Sequence, residues 1–393
     1  MTGTLILLAG LLGAAYFLSH RDIFSPGVLT CSIFSFCLLS LLVLPTHLPP
    51  LHKQCLFGVG LWSVCFVLSA MMAQSFRYTP MPKRSSTAVT DLYFWLSIAC
   101  VPLLIRFAYE AIVTGTSSNF AANLRDAAVN GLPSSSTKEP YTPFYYMLWI
   151  ATYLLYLKDI NRTRWRRAVI MGGLVLSFGL VSMSKTFILT FGIMTLLVLY
   201  YRKIISTRHI LLGLAVLVVL LWGIQFVRYH TQMSEEKVAS TFETYVLGNF
   251  YAFDTLKPCT AEHWGEHVFR LYYVLTYKAG LSPVEPVDPI LPWVMKPIAT
   301  NTYTVLYPFF LDFGYWGIAF FAIVLGLATG WLYSHYRQGD EFFVLLYAYF
   351  CVLLITQYNG EAFFTNLAGH IKFVLLMILP YLTLPKRATK DEL

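Results

Sequence analysis

The chain of 393 residues is 57% hydrophobic and only 12% charged, and 28 Lys and Arg against 20 Asp and Glu give a formal net charge of +8. Soluble domains carry about 25% charged residues, so this composition excludes soluble, disordered and fibrous proteins. It predicts an all-α polytopic membrane protein, because each helix that crosses a bilayer needs about 20 apolar residues. We expect residues 1–393 to form a single integral membrane domain.

Eleven apolar runs follow one another along the chain, and each predicts a transmembrane helix. They cover residues 4–19, 28–45, 56–74, 92–114, 144–158, 168–183, 185–201, 209–227, 303–334, 342–357 and 369–384. We divide the apolar stretch 168–201 into two helices because Ser182, Ser184 and Lys185 interrupt its midpoint. The run 303–334 is long for one crossing, so it should begin outside the membrane or break near Gly314 and Gly317.

Basic residues concentrate in every second loop. They are Arg21; Arg77, Lys83 and Arg84; Lys158, Arg162, Arg164, Arg166 and Arg167; Arg202, Lys203 and Arg208; Arg337; and Lys386, Arg387 and Lys390. Basic loops are retained in the cytoplasm, so the alternation predicts an N-terminus outside the cell membrane and a C-terminus inside. The outward-facing segments then include a first loop, 115–143, and a large loop, 228–302, where function should lie. The short inner loops contain no phosphate-binding glycine motif, which disfavours an ATP-driven pump or an enzyme that uses nucleotide sugars inside.

Five basic residues lie on or beside the predicted outer segments: Arg125 in the first loop, Lys185 at the helix junction, Arg228 at a span end, and Arg270 and Lys278 in the large loop. Guanidinium and ammonium groups that converge from separate elements bind phosphate or pyrophosphate. Each residue alone is more often a solvated surface charge. Arg106 and Glu110 are one helical turn apart and are expected to pair on one face.

The large loop also contains His263-Trp264-Gly265-Glu266-His267, which formally matches the zinc-binding pattern HxxEH. Gly265 weakens the helix that such a site needs, and the sequence offers no obvious third ligand, so we expect no metal and no cofactor. Asp254, Glu262 and His263 are the candidate general bases, because a sugar hydroxyl must lose its proton as it attacks. An ordinary surface role is the alternative for each. The scattered cysteines predict packing residues rather than a disulfide framework.

Two stretches of the chain resemble a known family. Tyr245, Gly248, Phe253 and Asp254 form a Y-x-x-G…F-D pattern, and Asn301, Tyr303 and Thr304 precede a D-F-G-x-x-G pattern at Asp312, Phe313, Gly314 and Gly317. These patterns resemble the bacterial O-antigen polymerases, the Wzy-type oligosaccharide repeat-unit polymerases. The resemblance implies that Tyr245, Asn301, Tyr303 and Asp312 contact substrate.

The resemblance also implies a fold similar to the C-type membrane glycosyltransferases, in the bacterial inner membrane. Its members join repeat units carried on undecaprenyl pyrophosphate at the periplasmic face, without metal, nucleotide or nucleic acid. The implied partners are the lipid-linked glycans, membrane lipid and a chain-length regulator protein. The sequence leaves two alternatives open, namely a ligase that transfers finished glycan to lipid A and a flippase or transporter of the lipid-linked glycan.

Overall fold

The computed structural model of the chain describes residues 1–43, 48–76, 85–132, 141, 143–160, 164–229 and 243–382. Within these ranges the protein is helical, without β-strands, and one isolated bridge joins Val294 to Thr300. The chain divides into two compact units. Unit 1 comprises Met1–Pro80, Ser234–Gln338 and Leu353–His370; unit 2 comprises Met81–Met233, Gly339–Val352 and Ile371–Leu393.

The helices follow the apolar runs of the sequence. In chain order they are α1 (Thr2–Leu18), α2 (Pro26–Val43), α3 (Lys53–Ser75), α4 (Thr87–Ala99), α5 (Val101–Thr114), α6 (Phe120–Asn130), α7 (Phe144–Lys158), α8 (Trp165–Val181), α9 (Lys185–Tyr201), α10 (Thr207–Tyr229), a π-helical turn (Glu243–Leu247), α11 (Gly248–Asp254), α12 (Arg270–Lys278), α13 (Tyr307–Gln338), α14 (Glu341–Thr356), a 3₁₀ turn (Gln357–Asn359) and α15 (Leu367–Leu382). Within the described residues, helix therefore covers most of each of the eleven predicted runs.

Among the described residues, five helical stretches are long and apolar enough to cross a bilayer. They are Pro26–Val43, Lys53–Ser75, Thr87–Thr114, Tyr307–Gln338 and Glu341–Asn359. Shorter apolar helices cover Thr2–Leu18, Lys185–Tyr201, Thr207–Leu221 and Leu367–Leu382. The prediction of an all-helical protein with membrane-helix character is confirmed at this level.

Two predicted helix breaks are confirmed and a third was not expected. α8 ends at Val181 and α9 begins at Lys185. Within α13, Gly314 has φ 63° and ψ −148°, a conformation that is open to glycine and strained for other residues. The run 92–114, predicted as one helix, is interrupted at Cys100 between α4 and α5. Pro102 explains this break, because it has no N–H to continue the helical hydrogen bonds.

The segment 115–143, predicted as the first outer loop, contains the helix α6, which the sequence did not predict. Asn119 begins α6, and its side-chain carbonyl accepts the N–H of Ala121 at 2.9 Å. Asparagine at this position satisfies one of the unpaired N–H groups of a helix start.

A seam of small residues holds α3 and α13 together in unit 1. A Cβ atom added at Gly326 would lie 2.5 Å from the carbonyl oxygen of Phe66, and one at Gly330 would lie 2.4 Å from that of Ala70. The two glycines are four residues apart, as in small-xxx-small motifs that let membrane helices approach closely. The glycines are therefore required for the contact between the two backbones.

Unit 1 also has a satisfied polar core. The indole Nε1–H of Trp62 donates to Oε1 of Gln357 at 2.8 Å, and Nε2 of Gln357 donates to Oγ1 of Thr30 at 2.9 Å. All three residues are fully buried. Because each group has a partner, the network links α2, α3 and the 3₁₀ turn without an uncompensated polar atom.

In unit 2, charged side chains pair at the ends of helices. Nη1 of Arg167 lies 2.5 Å from Oδ1 of Asp91, which also accepts the Tyr156 hydroxyl at 2.7 Å. Nζ of Lys158 lies 2.6 Å from Oε2 of Glu341. These contacts join α4, α7 and α8 on one hand and α7 and α14 on the other.

Two smaller predictions are also confirmed. Nε of Arg106 lies 2.6 Å from Oε1 of Glu110 within α5. Cys31, Cys37, Cys55 and Cys351 are buried packing residues, whereas Cys65 and Cys100 are partly exposed and Cys259 is exposed; all seven are free thiols.

Candidate functional site

The segment that follows α11 is attached to the first turns of α13. The N–H of Cys259 donates to the carbonyl oxygen of Phe310 at 3.2 Å, and that of Thr260 donates to Leu311 at 2.9 Å. These bonds place the following residues beside Asp312, whose side chain is completely buried.

Asp312 binds His267 in a geometry that fixes the imidazole ring. Nδ1 of His267 lies 2.7 Å from Oδ1 of Asp312, and the backbone N–H of Val268 donates to Oδ2 at 2.9 Å. With Nδ1–H as the donor, the Asp312 carboxylate accepts this hydrogen bond, which leaves Nε2 as the nitrogen that can exchange a proton with a ligand. The His267 side chain is 17% exposed, so the ring is fixed by Asp312 and remains partly accessible to a ligand.

His267 and Arg270 line one cavity of about 310 Å³. Tyr303, Tyr307 and Glu361 are among its other lining residues. Nε of Arg270 donates to the carbonyl oxygen of Val287 at 2.8 Å, which fixes the position of the guanidinium. Among the described residues, no carboxylate lies within ion-pairing distance of Arg270. The cavity thus combines a proton acceptor, a cation and two aromatic rings.

Glu361 contributes a buried carboxyl group to this cavity. Its oxygens accept three backbone N–H groups, from Phe363 at 2.6 Å and from Phe364 and Thr365 at 2.9 Å each. Burial raises the pKa of Glu361, and the three N–H donors partly offset this by stabilising the carboxylate. Sequence reasoning missed this residue, because nothing in its neighbourhood marks it as different from a loop carboxylate.

A second cavity, of about 640 Å³, shares His267 with the first. Glu262, His263 and Glu266 also line it. Glu266 accepts the backbone N–H groups of Glu262 at 2.9 Å and His263 at 3.2 Å, and its Oε2 lies 3.2 Å from Nδ1 of His263. The structure therefore brings the predicted residues Glu262 and His263 near the Asp312–His267 pair.

Residues 263–267 form a turn rather than the helix of an HxxEH zinc site. Gly265 has φ 67°. Nδ1 of His263 lies 3.2 Å from Glu266, whereas Nδ1 of His267 lies 2.7 Å from Asp312 and 3.9 Å from Glu266. Across the described ranges, no group of three or more His, Cys, Asp or Glu is arranged to hold a metal ion.

Asp254 lies apart from both cavities and stabilises the start of α3. Its oxygens accept the backbone N–H groups of His52 at 2.8 Å and Cys55 at 3.0 Å. His52 precedes α3 and gives no side-chain cap of its own, so Asp254 supplies the cap from a distant part of the sequence. Its side chain is 4% exposed. Burial raises the pKa of Asp254, and the two backbone hydrogen bonds and His52 partly counteract the shift. This position suits a structural role.

The predicted substrate residues have different environments. Tyr303 is buried, lines the first cavity and donates its hydroxyl to the carbonyl oxygen of Pro292 at 3.1 Å. Asn301 is half-buried in the preceding loop. Tyr245 is in the π-helical turn, where its carbonyl oxygen accepts Nδ2 of Asn249 at 3.1 Å. Lys278 is the exposed last residue of α12.

The remaining predicted cations belong to unit 2. Arg125 is in the middle of α6, and Lys185 is the first residue of α9. Arg228 is the penultimate residue of α10, and its side chain is outside the described part of the structure. Phosphate binding by these three residues stays a prediction.

Comparisons with known proteins do not assign the chain to a family. The sequence matches no protein-family model, and neither a search of curated proteins nor a search of solved structures returns a match. The resemblance to repeat-unit polymerases therefore rests on the short motifs at Tyr245–Asp254 and Asn301–Gly317.

Proposed function

We propose that the protein is a membrane glycosyltransferase that joins oligosaccharide repeat units carried on undecaprenyl pyrophosphate. The observation that carries this proposal is the contact between Asp312 and His267. Asp312 belongs to the polymerase-like motif, and it holds His267 in a cavity that also contains Arg270. A base and a cation in one cavity are the two groups that transfer of a sugar from pyrophosphate requires.

In the proposed reaction, a hydroxyl oxygen of the acceptor sugar attacks the anomeric carbon of the donor. The bond from that carbon to the phosphate oxygen breaks, and the lipid pyrophosphate leaves with the bonding electrons. Nε2 of His267 takes the hydroxyl proton, and Asp312 stabilises the imidazolium that forms. Arg270 offers a guanidinium to the departing phosphate oxygens. We assign the role for which Asp254, Glu262 and His263 were candidates to His267, because its partner Asp312 has a completely buried side chain and lies 2.7 Å from Nδ1. In contrast, Oε2 of Glu266 lies 3.2 Å from Nδ1 of His263, whose side chain is 45% exposed.

The proposal includes eleven membrane crossings, the C-type glycosyltransferase architecture and an active face in the periplasm of a bacterial inner membrane. The alternation of basic loops supports this orientation. In a Cys259→Ser background, which removes the exposed native thiol, a cysteine that replaces the exposed Lys257 should react with an impermeant maleimide added to intact spheroplasts. A cysteine that replaces Arg166 should react only after lysis. The reverse pattern contradicts the orientation and leaves the Asp312–His267 geometry unaffected.

The decisive experiment compares His267→Gln with His263→Gln in cells that lack the native gene. Both residues contact a carboxylate, but only His267 is oriented by Asp312, so His263→Gln is the matched control. We expect His267→Gln to lower polymer formation by about 10²–10⁴-fold, the usual contribution of a general base. Gel analysis of surface polysaccharide should then show single repeat units. Arg270→Gln should lose about a hundredfold, and Arg270→Lys should retain part of the activity because it keeps the charge but not the fork.

The same gel separates the alternative functions. Long glycan that is not attached to lipid A in the deletion strain indicates a ligase, and complete loss of surface glycan indicates a flippase. A normal ladder from His267→Gln at normal expression contradicts the proposed base.

A further inference from the structure

Trp264 is strongly exposed although it packs against a membrane-spanning helix. The residue is 75% exposed. The indole stacks on Phe269 with ring centroids 5.3 Å apart and meets the edge of Phe313 in α13 at 5.5 Å. One face of the indole is thus fixed to the protein, and the rest faces outward beside α13.

Near Trp264, α13 has large apolar side chains on its exposed surface. Trp316 is 87% exposed and Phe320 is 60% exposed, within a helix apolar and long enough to cross a membrane. Phe269, the stacking partner of Trp264, also packs edge to face with Phe321, with ring centroids 6.2 Å apart. The segment from Trp264 to Phe269 is therefore attached at the level where α13 begins to present apolar side chains outward.

The following helix, α12, has an apolar exposed surface of its own. None of its nine residues is buried. Tyr272 and Leu275, which share a face at i,i+3 spacing, are 63% and 59% exposed, and Leu281 just beyond the helix is 79% exposed. The hydroxyl of Tyr273 donates to the carbonyl oxygen of Trp264 at 2.7 Å, so α12 is tied to the same position.

We propose that residues 264–281 lie in the headgroup region of the bilayer that the protein spans, with Trp264, Tyr272 and Leu275 in contact with lipid. Tryptophan and tyrosine favour this region because they combine an apolar ring with a polar N–H or O–H group. A short helix with exposed apolar residues and basic residues at both ends, Arg270 and Lys278, is typical of elements that lie along a membrane surface. The bilayer is favoured over a protein partner because the exposed surface adjoins the outward-facing side chains of α13.

This inference does not depend on the proposed activity. The interfacial position of residues 264–281 has one consequence for the proposed activity, since His267 and Arg270 lie within the same segment. Both would then be at the depth of a lipid phosphate, where a lipid-linked substrate carries its charge.

The test measures the depth of Trp264 by fluorescence. The full chain, which has nine tryptophans, is reconstituted into nanodiscs of phosphatidylcholine and phosphatidylglycerol. The phosphatidylcholine is brominated either near the top or near the end of its acyl chains, and bromine quenches nearby indoles. The emission of wild type minus that of Trp264→Phe isolates Trp264, and Phe preserves the ring contact. Trp316→Phe provides the matched control for a tryptophan on the span itself.

We expect bromine near the top of the chains to remove at least about twice as much Trp264 emission as bromine near their ends, since interfacial helices lie about 5–10 Å into the boundary. Aqueous iodide should quench it little. Strong iodide quenching without lipid quenching, or quenching mainly by the deep bromines, overturns the proposal. A fluorophore on Leu275→Cys in a Cys259→Ser background repeats the measurement on α12, so failure of one variant to fold leaves a second readout. The polysaccharide gel is a separate measurement, so failure of either proposal is recognisable by itself.

Discussion

The glycine seam between α3 and α13 allows a sharp test of the fold. The perturbation is the double substitution Gly326→Ala/Gly330→Ala, which adds two methyl groups where the backbones approach most closely. The matched control is Gly13→Ala in α1, because a Cβ at Gly13 meets no atom within 4 Å. Both variants make the same chemical change inside a helix of unit 1, and only the packing around the glycine differs.

The structure gives opposite signs for the two variants. At Gly330 the new Cβ would lie 2.4 Å from the Ala70 carbonyl oxygen, about 1 Å inside the usual carbon–oxygen separation. The atoms it meets at Ala70 are backbone, so the helices must move apart. Overpacking costs about 1–3 kcal/mol per site, or about 2–6 kcal/mol for the pair. Alanine returns about 0.5–1 kcal/mol per helical position, or about 1–2 kcal/mol for the pair, so the net loss lies between about 0 and about 5 kcal/mol and centres near about 2.5 kcal/mol. Gly13→Ala should gain about 0.5–1 kcal/mol.

Reversible unfolding in mixed micelles of a mild detergent and dodecyl sulfate, followed by circular dichroism, measures both free energies of unfolding. The expected result is a lower midpoint for the double variant and an equal or higher midpoint for Gly13→Ala. If the double variant is as stable as Gly13→Ala, then α3 and α13 do not meet at these residues, and the reasoning from the glycine contacts is refuted.

Three further predictions concern the site. Because burial raises the pKa of Glu361 above its ordinary value of 4.5, the folded state binds this proton more tightly than the unfolded state; the free energy of unfolding should therefore fall as pH rises from 4.5 through the raised pKa, and the difference between wild type and Glu361→Gln across a pH series should show this slope. Polymer formation by membranes should persist in EDTA, because residues 263–267 form a turn and no group of three or more possible ligands among the described residues is arranged to hold a metal ion; loss of activity that zinc restores would revive the metal site. Arg228→Ala should abolish polymer and Arg228→Lys should retain a minor fraction, a loss of about 3 kcal/mol or roughly a hundredfold in rate; normal glycan at normal expression would leave Arg228 a headgroup anchor only.

The sequence predicted the helices well because apolar runs and helix breakers are local signals. The breaks at Ser182–Ser184 and at Gly314 could be anticipated from small polar residues and glycine. The break at Cys100 could have been anticipated from Pro102, and α6 from the capping residue Asn119. Both signals are single residues, however: Pro102 lies in a run that is otherwise apolar, and Asn119 lies in a segment predicted as loop. Helix boundaries therefore depend on nearby residues, and the differences between the predicted and the observed boundaries also have causes in nearby residues.

The site was less accessible to sequence reasoning. His263 and His267 are equivalent in the HxxEH pattern, and only the approach of Asp312, 45 residues further along, distinguishes them. In the sequence, Asp254 matches a polymerase-like motif and is also a candidate general base, whereas in the structure it caps α3. Both outcomes depend on contacts between distant segments, for which a single sequence carries no direct signal.

The cap at Asp254 also constrains the order in which the protein can mature. Asp254 is synthesised 202 residues after His52, whose N–H it accepts. Ribosomes add about 5–20 residues per second, so α3 exists for about 10–40 s before its cap is made. During that time Asp254 cannot accept the N–H groups of His52 and Cys55. The glycine seam closes later still, because Gly330 follows Asp254. The contacts that fix α3 at its start and along its length are therefore completed only after the later segments have been synthesised.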